Sequence, residues 1–308
     1  MKILMLGAGA TGGYFGGKLA VAGVDVTFLV REKRAADLAR NGLTIESPNG
    51  HVQTPVTTVT HQALRADYDA IILSCKAYDL DAAIDAISPG VGASTVVLPL
   101  LNGMRQLDAL DKAFGADKVL GGTCHISATL TDDGVIRHFS PFDALTLGAR
   151  YQDQKDACNR LFASMQRGGF ETRLSENIVA AMWEKWVLLA TLAGMTCLMR
   201  GTIGEIVATH SGAAQISAML DECCAIAKAY DVAPKPVAIE LIRTTLTDPT
   251  STISSSMLRD MQRNGRIEAD HIVGDLIARA DDTSIAAPHL KMAYSHLQVY
   301  QNALDMQH

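Results

Sequence analysis

MKILMLGAGATGGYFGGKLAVAGVDVTFLVR, residues 1–31, has the pattern of a strand, a glycine turn, a helix and a second strand. Its glycines at positions 7, 9 and 12 have the spacing G-x-G-x-x-G. In that arrangement the first glycine permits a tight turn, the second lets the backbone approach a pyrophosphate, and the third lets the helix pack against the strand. The phosphates then lie on N–H groups at the helix N-terminus, which favours a ligand over a bare glycine-rich turn. We therefore predict a dinucleotide site formed by Gly7, Ala8, Gly9, Ala10, Thr11 and Gly12.

The residue that ends this stretch indicates which dinucleotide is bound. Where an NAD-binding chain usually places Asp or Glu for the ribose 2′-hydroxyl, this sequence has Arg31, followed by Glu32, Lys33 and Arg34. A guanidinium can hold a 2′-phosphate bidentately, whereas a carboxylate would repel it. The pattern favours NADP(H) over NAD(H). The alternative is that Arg31 and Arg34 are solvated loop charges and Glu32 is the ribose ligand.

Composition and charge describe a folded chain with no evident affinity for nucleic acid or membranes. The 308 residues suit about two domains, and 48% hydrophobic with 19% charged residues argues against disorder. A formal net charge of -6 gives no electrostatic reason to expect nucleic acid or an anionic membrane as partner. The longest apolar stretch, Trp186 to Met199, is shorter than the ~18 residues of a membrane span, which predicts a buried helix.

Cysteine usage and the N-terminus indicate a cytoplasmic protein. The six cysteines contain no C-x-x-C pair and no zinc spacing, a pattern typical of a reducing compartment. Because the N-terminus is itself the first predicted strand, we expect no cleaved signal peptide. No pair of histidines suggests a metal site.

Strands alternate with helices through roughly residue 170, which predicts an α/β fold with a doubly wound, mostly parallel sheet. An inserted hairpin, Gly42 to Glu46 with Val52 to Val59, is expected around the Asn49-Gly50 turn pair. The further predicted elements are strands at 70–74 and 95–101, a helix at 80–87, and the last strands of the open sheet at 119–126 and 144–147, with a turn at 132–134.

Long helical patterns replace the short β-branched runs beyond Ser175. We predict helices at 177–199, 211–229, 235–245 and 268–279, separated by Gly, Pro and Ser/Thr stretches. The chain thus divides into an N-terminal Rossmann domain that binds NADP, residues 1–174, and a C-terminal all-α domain for substrate and dimerisation, residues 175–308. We expect the chemistry at the carboxyl ends of the strands, in a cleft between the two domains.

Polar residues follow two of the predicted strands. Lys76 comes after AIILSC and Asn102-Gly103 after VVLPLL, so both are expected to face the bound cofactor. The alternatives are a surface lysine and a simple turn. His125 follows another apolar run, but a lone histidine beside a sheet is more often structural.

Three residues of the helical half could serve the chemistry. Lys185 lies between Trp183 and Trp186 at the start of the most apolar helix, where partial burial favours release of a lysine proton; the alternative is a lysine that snorkels from a helix end. Ser256 and Glu268 flank a segment that Asn264-Gly265 could reverse, which would bring both to one cleft. Otherwise the serine caps a helix and Glu268 is a solvated first-turn carboxylate.

Together these motifs resemble the ketopantoate reductase (2-dehydropantoate 2-reductase) family. The matching stretches are GAGATG at 7–12, Arg31, SCKAYD around Lys76, LNGM around Asn102, GGTCH ending at His125, EKW around Lys185, and SSSMLRDMQRNGRIEADHIVG with Ser256 and Glu268. They run in order through essentially the whole chain. The resemblance implies NADPH-dependent reduction of ketopantoate, a 2-oxo acid, to pantoate, in pantothenate biosynthesis.

The resemblance also implies roles for the candidate residues. Lys185 would be the proton donor and would contact the substrate, while Ser256 would bind the substrate carboxylate. Glu268 would assist catalysis and cofactor binding. Lys76 and Asn102 would face the nicotinamide half of NADPH.

The sequence departs from this family at three positions. Where members that reduce ketopantoate usually carry asparagines, the chain has Leu189, Ala193 and Ile203, and the first two share a helix face with Lys185. A pocket made more apolar by these residues suits another, more apolar 2-oxo acid, which is the alternative substrate. A non-catalytic NADPH-binding sensor is a further alternative, although the retained Lys185, Ser256 and Glu268 argue against it. The apolar helical half could also form the face of a homodimer.

Overall fold

The computed structural model describes residues 1–306, which form two compact units. The first unit comprises Met1–Leu101 and Gln106–Ile178, and the second comprises Asn102–Arg105 and, within the described residues, 179–306. Residues 307 and 308, which the predicted helical domain includes, lie outside the described part of the chain. The assignment of residues 1–174 to the cofactor and 175–308 to substrate and dimerisation stays a prediction.

The first 178 residues contain both strands and helices, which alternate except at residues 43–73 and in the hairpin of residues 121–148. In chain order they are β1 (Lys2–Leu6), α1 (Ala10–Val21), β2 (Asp25–Leu29), α2 (Glu32–Asn41), β3 (Leu43–Glu46), β4 (Val52–Thr54), β5 (Thr57–Val59), β6 (Ala70–Leu73), α3 (Leu80–Ile87), β7 (Val96–Pro99), α4 (Arg105–Phe114), β8 (Gly121–Leu130), β9 (Ile136–Gly148), α5 (Lys155–Gln166) and β10 (Thr172–Leu174). The predicted opening unit is confirmed to within a residue or two at each boundary.

Five of these strands form a parallel sheet in the order β5–β2–β1–β6–β7. Strands β6 and β7 are buried along their whole length, as parallel strands are when helices cover both faces. The order reverses between β1 and β6, which is the point where a doubly wound sheet places its ligand. The predicted α/β class and Rossmann-type parallel sheet are confirmed.

A second sheet corrects two of the sequence predictions. Strands β8 and β9 form a long antiparallel hairpin, and β9 also pairs in parallel with β3 and β10. The prediction that 119–126 and 144–147 extend the parallel sheet was therefore wrong: Val119 bridges Val97 of β7, after which the chain leaves for the second sheet. The turn at 132–134 closes the hairpin as predicted, with Gly134 at φ +84°.

The other correction concerns Val52 to Val59, which is two strands rather than one. Pro55 lies between β4 and β5, and it has no N–H for a ladder hydrogen bond. Strand β4 pairs with β3 in the predicted hairpin, whereas β5 pairs with β2 in the parallel sheet.

Helix α1 packs against both sheets because glycines line two of its faces. A Cβ on Gly16 would lie 2.7 Å from Phe28 of β2, and one on Gly17 would lie 2.5 Å from Leu43 of β3. A Cβ on Gly13 would meet Ile136 of β9. The same helix therefore carries the glycine turn and joins the two sheets of the unit.

The second unit is helical, as predicted. Its elements are α6 (Ile178–Met199), α7 (Ile203–Val207), α8 (Gly212–Ala229), α9 (Pro236–Leu246), α10 (Ser256–Gln262), a π-helical turn (Asp270–Gly274), α11 (Asp275–Asp282) and α12 (Pro288–Asp305). Helix α6 is long and apolar enough to cross a membrane, but 61% of its most apolar window is buried inside the protein. This burial agrees with the predicted core helix.

Candidate functional site

A cavity of about 970 Å³ opens at the carboxyl ends of β1, β2, β5 and β6. It lies at the reversal of strand order, where doubly wound sheets bind ligands. Its walls include the residues that directly follow these strands: Gly7 to Gly9 after β1, Arg31 after β2, Thr60 to Gln62 after β5, and Ser74 and Cys75 after β6. The predicted glycine turn and Arg31 thus line the same cavity.

The glycine turn has the geometry that its spacing predicts. Gly7 has φ +83°, which non-glycine residues rarely adopt, and its N–H donates to the carbonyl of Leu29 at 2.9 Å. A Cβ on Gly12 would meet the hydroxyl of Ser74 and lie 2.8 Å from the Gly7 carbonyl. Helix α1 therefore approaches the turn at a distance that excludes any larger residue at position 12.

The start of α1 fits a pyrophosphate. A Cβ on Gly9 would meet nothing within 4 Å, and Gly9 lines the cavity, so a ligand can approach its backbone. Ala10 and Thr11 form the first helical turn, whose N-terminus has no side-chain cap. Helix N-termini of this kind bind phosphate through backbone N–H groups and the helix dipole. These residues fit a dinucleotide.

The basic segment after β2 lines the same cavity. Arg31, Glu32 and Lys33 are exposed there, so both the predicted phosphate ligand and the alternative ribose ligand face this space. Arg34 differs from them: its Nη2 donates to the carbonyls of Ala8 at 3.3 Å and Gly134 at 3.1 Å. The alternative that made Arg34 a solvated loop charge was wrong.

In the helical unit, the structure brings two predicted site residues together. Lys185 Nζ donates to Oδ1 of Asn102 at 3.0 Å, and both residues are half-buried. Gly103, at φ +86°, turns the chain directly after Asn102. The acceptor thus fixes the direction of the ammonium group.

Aromatic residues hold the helix on either side of Lys185. The indole of Trp186, 1% exposed, donates from Nε1 to the carbonyl of Ile272 at 2.9 Å. Ile272 belongs to the π-helical turn, a feature that is frequent at functional sites. The guanidinium of Arg279 lies 5.5 Å from the ring centres of both Trp183 and Trp186. The tryptophans that flank Lys185 therefore fix this part of α6 to the segment that follows Glu268.

Glu268 is a buried carboxylate rather than the solvated one of the alternative prediction. It is 7% exposed, and its carbonyl accepts the N–H of Ile272 at 3.0 Å. Burial lowers the pKa of the nearby His271, and the positive charge of Arg105 lowers it further, while the Glu268 carboxylate opposes both effects. A buried acid, an imidazole and a guanidinium thus act on one another here.

Ser256 is exposed as the first residue of α10. The helix cap is its neighbour Ser255, whose buried Oγ accepts the N–H of Leu258 at 3.0 Å and bonds the hydroxyl of Thr196 at 2.9 Å. The alternative role of capping therefore belongs to Ser255. Ser256 stays available as the predicted substrate ligand.

Three other sequence predictions concern single positions. Lys76 is half-buried and directly follows the cavity-lining Cys75. His125 is exposed in β8 of the second sheet and pairs with Ala144, so it does not lie at a carboxyl end of the parallel sheet. Ile203 is 0% exposed and belongs to the core.

The three replaced asparagine positions differ in exposure. Leu189 is half-buried, whereas Ala193 and Ile203 are buried at 2% and 0% exposure. Leu189 therefore has the most surface with which to meet a ligand. Among the described residues, no group of three or more His, Cys, Asp or Glu side chains could hold a metal ion.

Sequence reasoning missed some cavity and site residues. Arg34 was not among the predicted site residues and was considered only as a loop charge in the alternative, although it lies three positions after Arg31 in the same basic segment. His61 and Gln62 follow β5 and line the cavity. They were missed because the sequence prediction treated β4 and β5 as one strand. Arg105 and His271 were overlooked because no local pattern indicates that they approach each other.

The first unit has a cavity that fits a dinucleotide at the reversal point of a parallel sheet. The chain continues into a helical unit with an oriented lysine. Together these features define an NAD(P)H-dependent oxidoreductase. The chain belongs to the ketopantoate reductase PanE/ApbA family, whose first domain matches residues 3–152 and whose C-terminal domain matches residues 177–301. This assignment confirms the family resemblance that the motifs carry.

Individual relatives cover nearly the whole chain. It is 35% identical to the uncharacterized oxidoreductase YkpB of Bacillus subtilis (strain 168), over 98% of this chain and 99% of the relative. It is 29% identical to a 2-dehydropantoate 2-reductase of Halobacterium salinarum, over 94% and 96% of the two chains. The crystal structure of a PanE/ApbA family ketopantoate reductase from Ralstonia eutropha JMP134 matches with a TM-score of 0.88 and 25% identity, over 100% of both chains.

A further solved structure shares the fold. The ternary structure of D-mandelate dehydrogenase with NADH and anilino(oxo)acetate matches with a TM-score of 0.89 over 99% of both chains, at 21% identity. At that identity the likeness concerns the fold.

Proposed function

We propose that the protein reduces 2-dehydropantoate (ketopantoate) to pantoate with NADPH, as a cytoplasmic enzyme of pantothenate biosynthesis. The observation that carries this proposal is the 3.0 Å hydrogen bond from Lys185 Nζ to Asn102 Oδ1, which orients a proton donor. The family assignment supports the same reaction, because the Halobacterium salinarum relative is a 2-dehydropantoate 2-reductase.

In this mechanism the residues of the helical unit handle the proton and the substrate. When bound, NADPH supplies a hydride to the carbonyl carbon of the substrate. Negative charge then develops on the carbonyl oxygen, and Lys185 donates the proton that converts it to a hydroxyl. Asn102 keeps the ammonium group pointed in one direction, so little reorganisation accompanies proton transfer. The hydroxyl of Ser256 would bind the substrate carboxylate, and Glu268 would hydrogen-bond the substrate or cofactor.

The cofactor would be held by the first unit. The glycine turn at 7–12 would take the pyrophosphate, and Arg31 would take the 2′-phosphate that distinguishes NADPH from NADH. Lys76 and Asn102 would face the nicotinamide half. The expected homodimer is also part of this proposal, and sedimentation velocity of the purified chain would test it.

A second candidate function keeps the cofactor and the lysine but changes the substrate to a more apolar 2-oxo acid. The half-buried Leu189 favours it, because a leucine one turn from Lys185 cannot hydrogen-bond a polar substrate. Loss of each neutral hydrogen bond would cost about 0.5–1.5 kcal/mol of ketopantoate binding. The D-mandelate dehydrogenase of the same fold was solved with anilino(oxo)acetate, an aryl amide of oxalic acid, so this fold can hold an aromatic group beside a carboxylate.

A panel of 2-oxo acids at saturating NADPH tests the proposal. It should contain ketopantoate, straight-chain and branched 2-oxo acids, and phenylglyoxylate, with NADPH oxidation as the readout. The largest kcat/KM on ketopantoate would support the proposed reaction, and a larger value on an aryl or long alkyl acid would establish the second candidate. NADPH binding without turnover on every acid would instead favour the sensor.

A further inference from the structure

Arg34 is fixed in place by two parts of the first unit. It lies in the first turn of α2, and its Nη2 donates to the carbonyl of Ala8, inside the glycine turn, at 3.3 Å. The same nitrogen donates to the carbonyl of Gly134, at the tip of the β8–β9 hairpin, at 3.1 Å. Most exposed arginines move among many rotamers, whereas this guanidinium is tethered at two points.

The hairpin tip is shaped around this arginine. Gly134 has φ +84°, and a Cβ there would lie 2.6 Å from Nη1 of Arg34. Position 134 therefore admits a guanidinium beside it only because no side chain is present. Leu130, on the same hairpin, lines the cavity together with Arg34.

Part of the guanidinium remains unsatisfied. Its Nε is buried and has no hydrogen-bond partner among the described residues. A buried N–H without an acceptor is costly, and such groups are found where a ligand can complete the bonding. Burial also lowers the pKa of Arg34, yet a guanidinium stays charged at neutral pH.

The charged side chains that follow β2 favour an anion in their part of the cavity. Arg31, Lys33 and Arg34 line it, opposed by the carboxylates of Glu32 and Asp79. A 2′-phosphate carries close to two negative charges and several acceptor oxygens, which suits two guanidinium groups better than one. Arg34 already contacts Ala8 of the glycine turn, the segment that would hold the pyrophosphate.

We propose that Arg34 is a second specificity-determining residue, which holds the 2′-phosphate of NADPH together with Arg31. This inference rests on the proposed use of NADPH. Arg31 is exposed, whereas Arg34 is a positive charge held in position before the ligand arrives. Because Nη2 already donates to two carbonyls and Nε is buried, Nη1 is the group that would donate to a phosphate oxygen.

Binding of NADPH and NADH to Arg34→Met, measured by calorimetry on the full chain, tests the proposal. The Kd for NADPH should rise about tenfold or more, while the Kd for NADH changes little, because NADH lacks the phosphate. Arg40→Met is the matched control: Arg40 lies on the same helix, its side chain is 72% exposed, and it pairs with Asp37. It should leave both constants unchanged.

The other outcomes separate this inference from the proposed function. If Arg34 only ties the hairpin to the glycine turn, both Kd values should rise equally in Arg34→Met, and the proposal is overturned. Arg34→Gln, which can still donate to a backbone carbonyl, serves as a second variant. If Arg34→Met and Arg34→Gln both fail to fold, Arg34 has a structural role and the proposal is also overturned. If the wild-type protein itself does not prefer NADPH, the proposed cofactor fails first.

Discussion

The ammonium group of Lys185 is oriented by Asn102, at 3.0 Å, and the adjacent Trp186 is locked to the carbonyl of Ile272 at 2.9 Å. Lys185→Met removes the proton but keeps an apolar stem of similar length at the same position. If Lys185 is the donor, kcat should fall about 10²–10⁴-fold, because general acid catalysis contributes that much. The Kd for NADPH should stay close to the wild-type value. Steady-state kinetics and a fluorescence titration measure the two quantities.

Lys228→Met is the matched control, since Lys228 is an exposed lysine in the last turn of α8. It should change neither kcat nor the Kd for NADPH. Near-normal kcat in Lys185→Met would contradict the assignment of the donor. An equal loss of NADPH binding and turnover would indicate that Lys185 serves the cofactor instead.

Arg31 and Glu32 support opposite cofactor preferences, NADPH and NADH respectively, and both are exposed and line the dinucleotide cavity. Arg31→Met should raise the Kd for NADPH about tenfold or more and leave the Kd for NADH nearly unchanged, because a charge-assisted bidentate contact to the 2′-phosphate is lost. Calorimetry with both cofactors measures the ratio. If the ratio does not move and Glu32→Gln weakens NADH instead, Glu32 is the ribose ligand and the protein prefers NADH.

At the scale of elements, helix α1 is the joint between the two sheets of the first unit. A Cβ on Gly13 would meet Cδ1 of Ile136 and lie 3.2 Å from the carbonyl carbon of Ala8. Gly13→Ala should therefore lower the free energy of unfolding by about 1–3 kcal/mol, as overpacked cores do, despite the better helix propensity of alanine. Urea denaturation followed by circular dichroism measures the change.

Ile136→Val provides the matched background, because valine lacks the Cδ1 atom that obstructs the new methyl group. The single change should cost about 0.5–1.5 kcal/mol by itself. Gly13→Ala should then cost less in the valine background than in the wild type, and the double-mutant cycle reports the difference. Equal costs in the two backgrounds would show that the contact with Ile136 does not limit α1.

The elements that sequence predicted well are those whose signals are local. Strand β1, helix α1 and strand β2 follow from an apolar run, a glycine turn and a helical repeat within the first 31 residues. Which sheet a strand joins depends on residues distant in sequence: β9 pairs with β3 and β10. The hydrophobic pattern of β9 does not distinguish this pairing from a pairing with β7. Pro55 was a readable signal for splitting β4 from β5.

The site was predictable where position along a strand sufficed. Gly7 and Arg31 line the cavity because they follow neighbouring parallel strands, and Asn102 follows another. A difference of one residue was not predictable: Ser255 is the buried cap and Ser256 is exposed, because the phase of α10 is set by its packing. The hydrogen bond from Arg34 to the carbonyl of Gly134 joins residues 100 positions apart, and neither segment alone predicts it.

For the molecule as a whole, two half-buried histidines should make stability depend on pH. Burial lowers the pKa of His271 and of His296 from the ordinary value of 6.5, and each has a buried ring nitrogen without a partner in the described chain. For His271 the charge of Arg105 lowers the pKa as well, while Glu268, Asp275 and Asp270 oppose it. Between the lowered pKa and 6.5, the unfolded chain binds more protons than the folded one.

The sign of the effect follows from that difference in bound protons. The contribution of each histidine to the free energy of unfolding is fully present above pH 6.5 and is lost as the pH falls through the window toward the folded-state pKa. His271→Gln should reduce the loss of stability between pH 7.5 and pH 5.5. His210→Gln is the control, because His210 is exposed, and it should leave the pH dependence as it is in the wild type.

Tryptophan fluorescence can assign this effect to the helical unit. The chain has two tryptophans, and both, Trp183 and Trp186, belong to the second unit, so their emission during urea denaturation reports the unfolding of that unit even if the first unit unfolds separately. The wild-type midpoint should fall from pH 7.5 to pH 5.5 more than that of His271→Gln. Parallel pH profiles for the two proteins would mean that His271 takes up its proton without opposing the fold. In that case the protonated His271 would add a second positive charge to that of Arg105, and the negative charge of Glu268 would stabilise both.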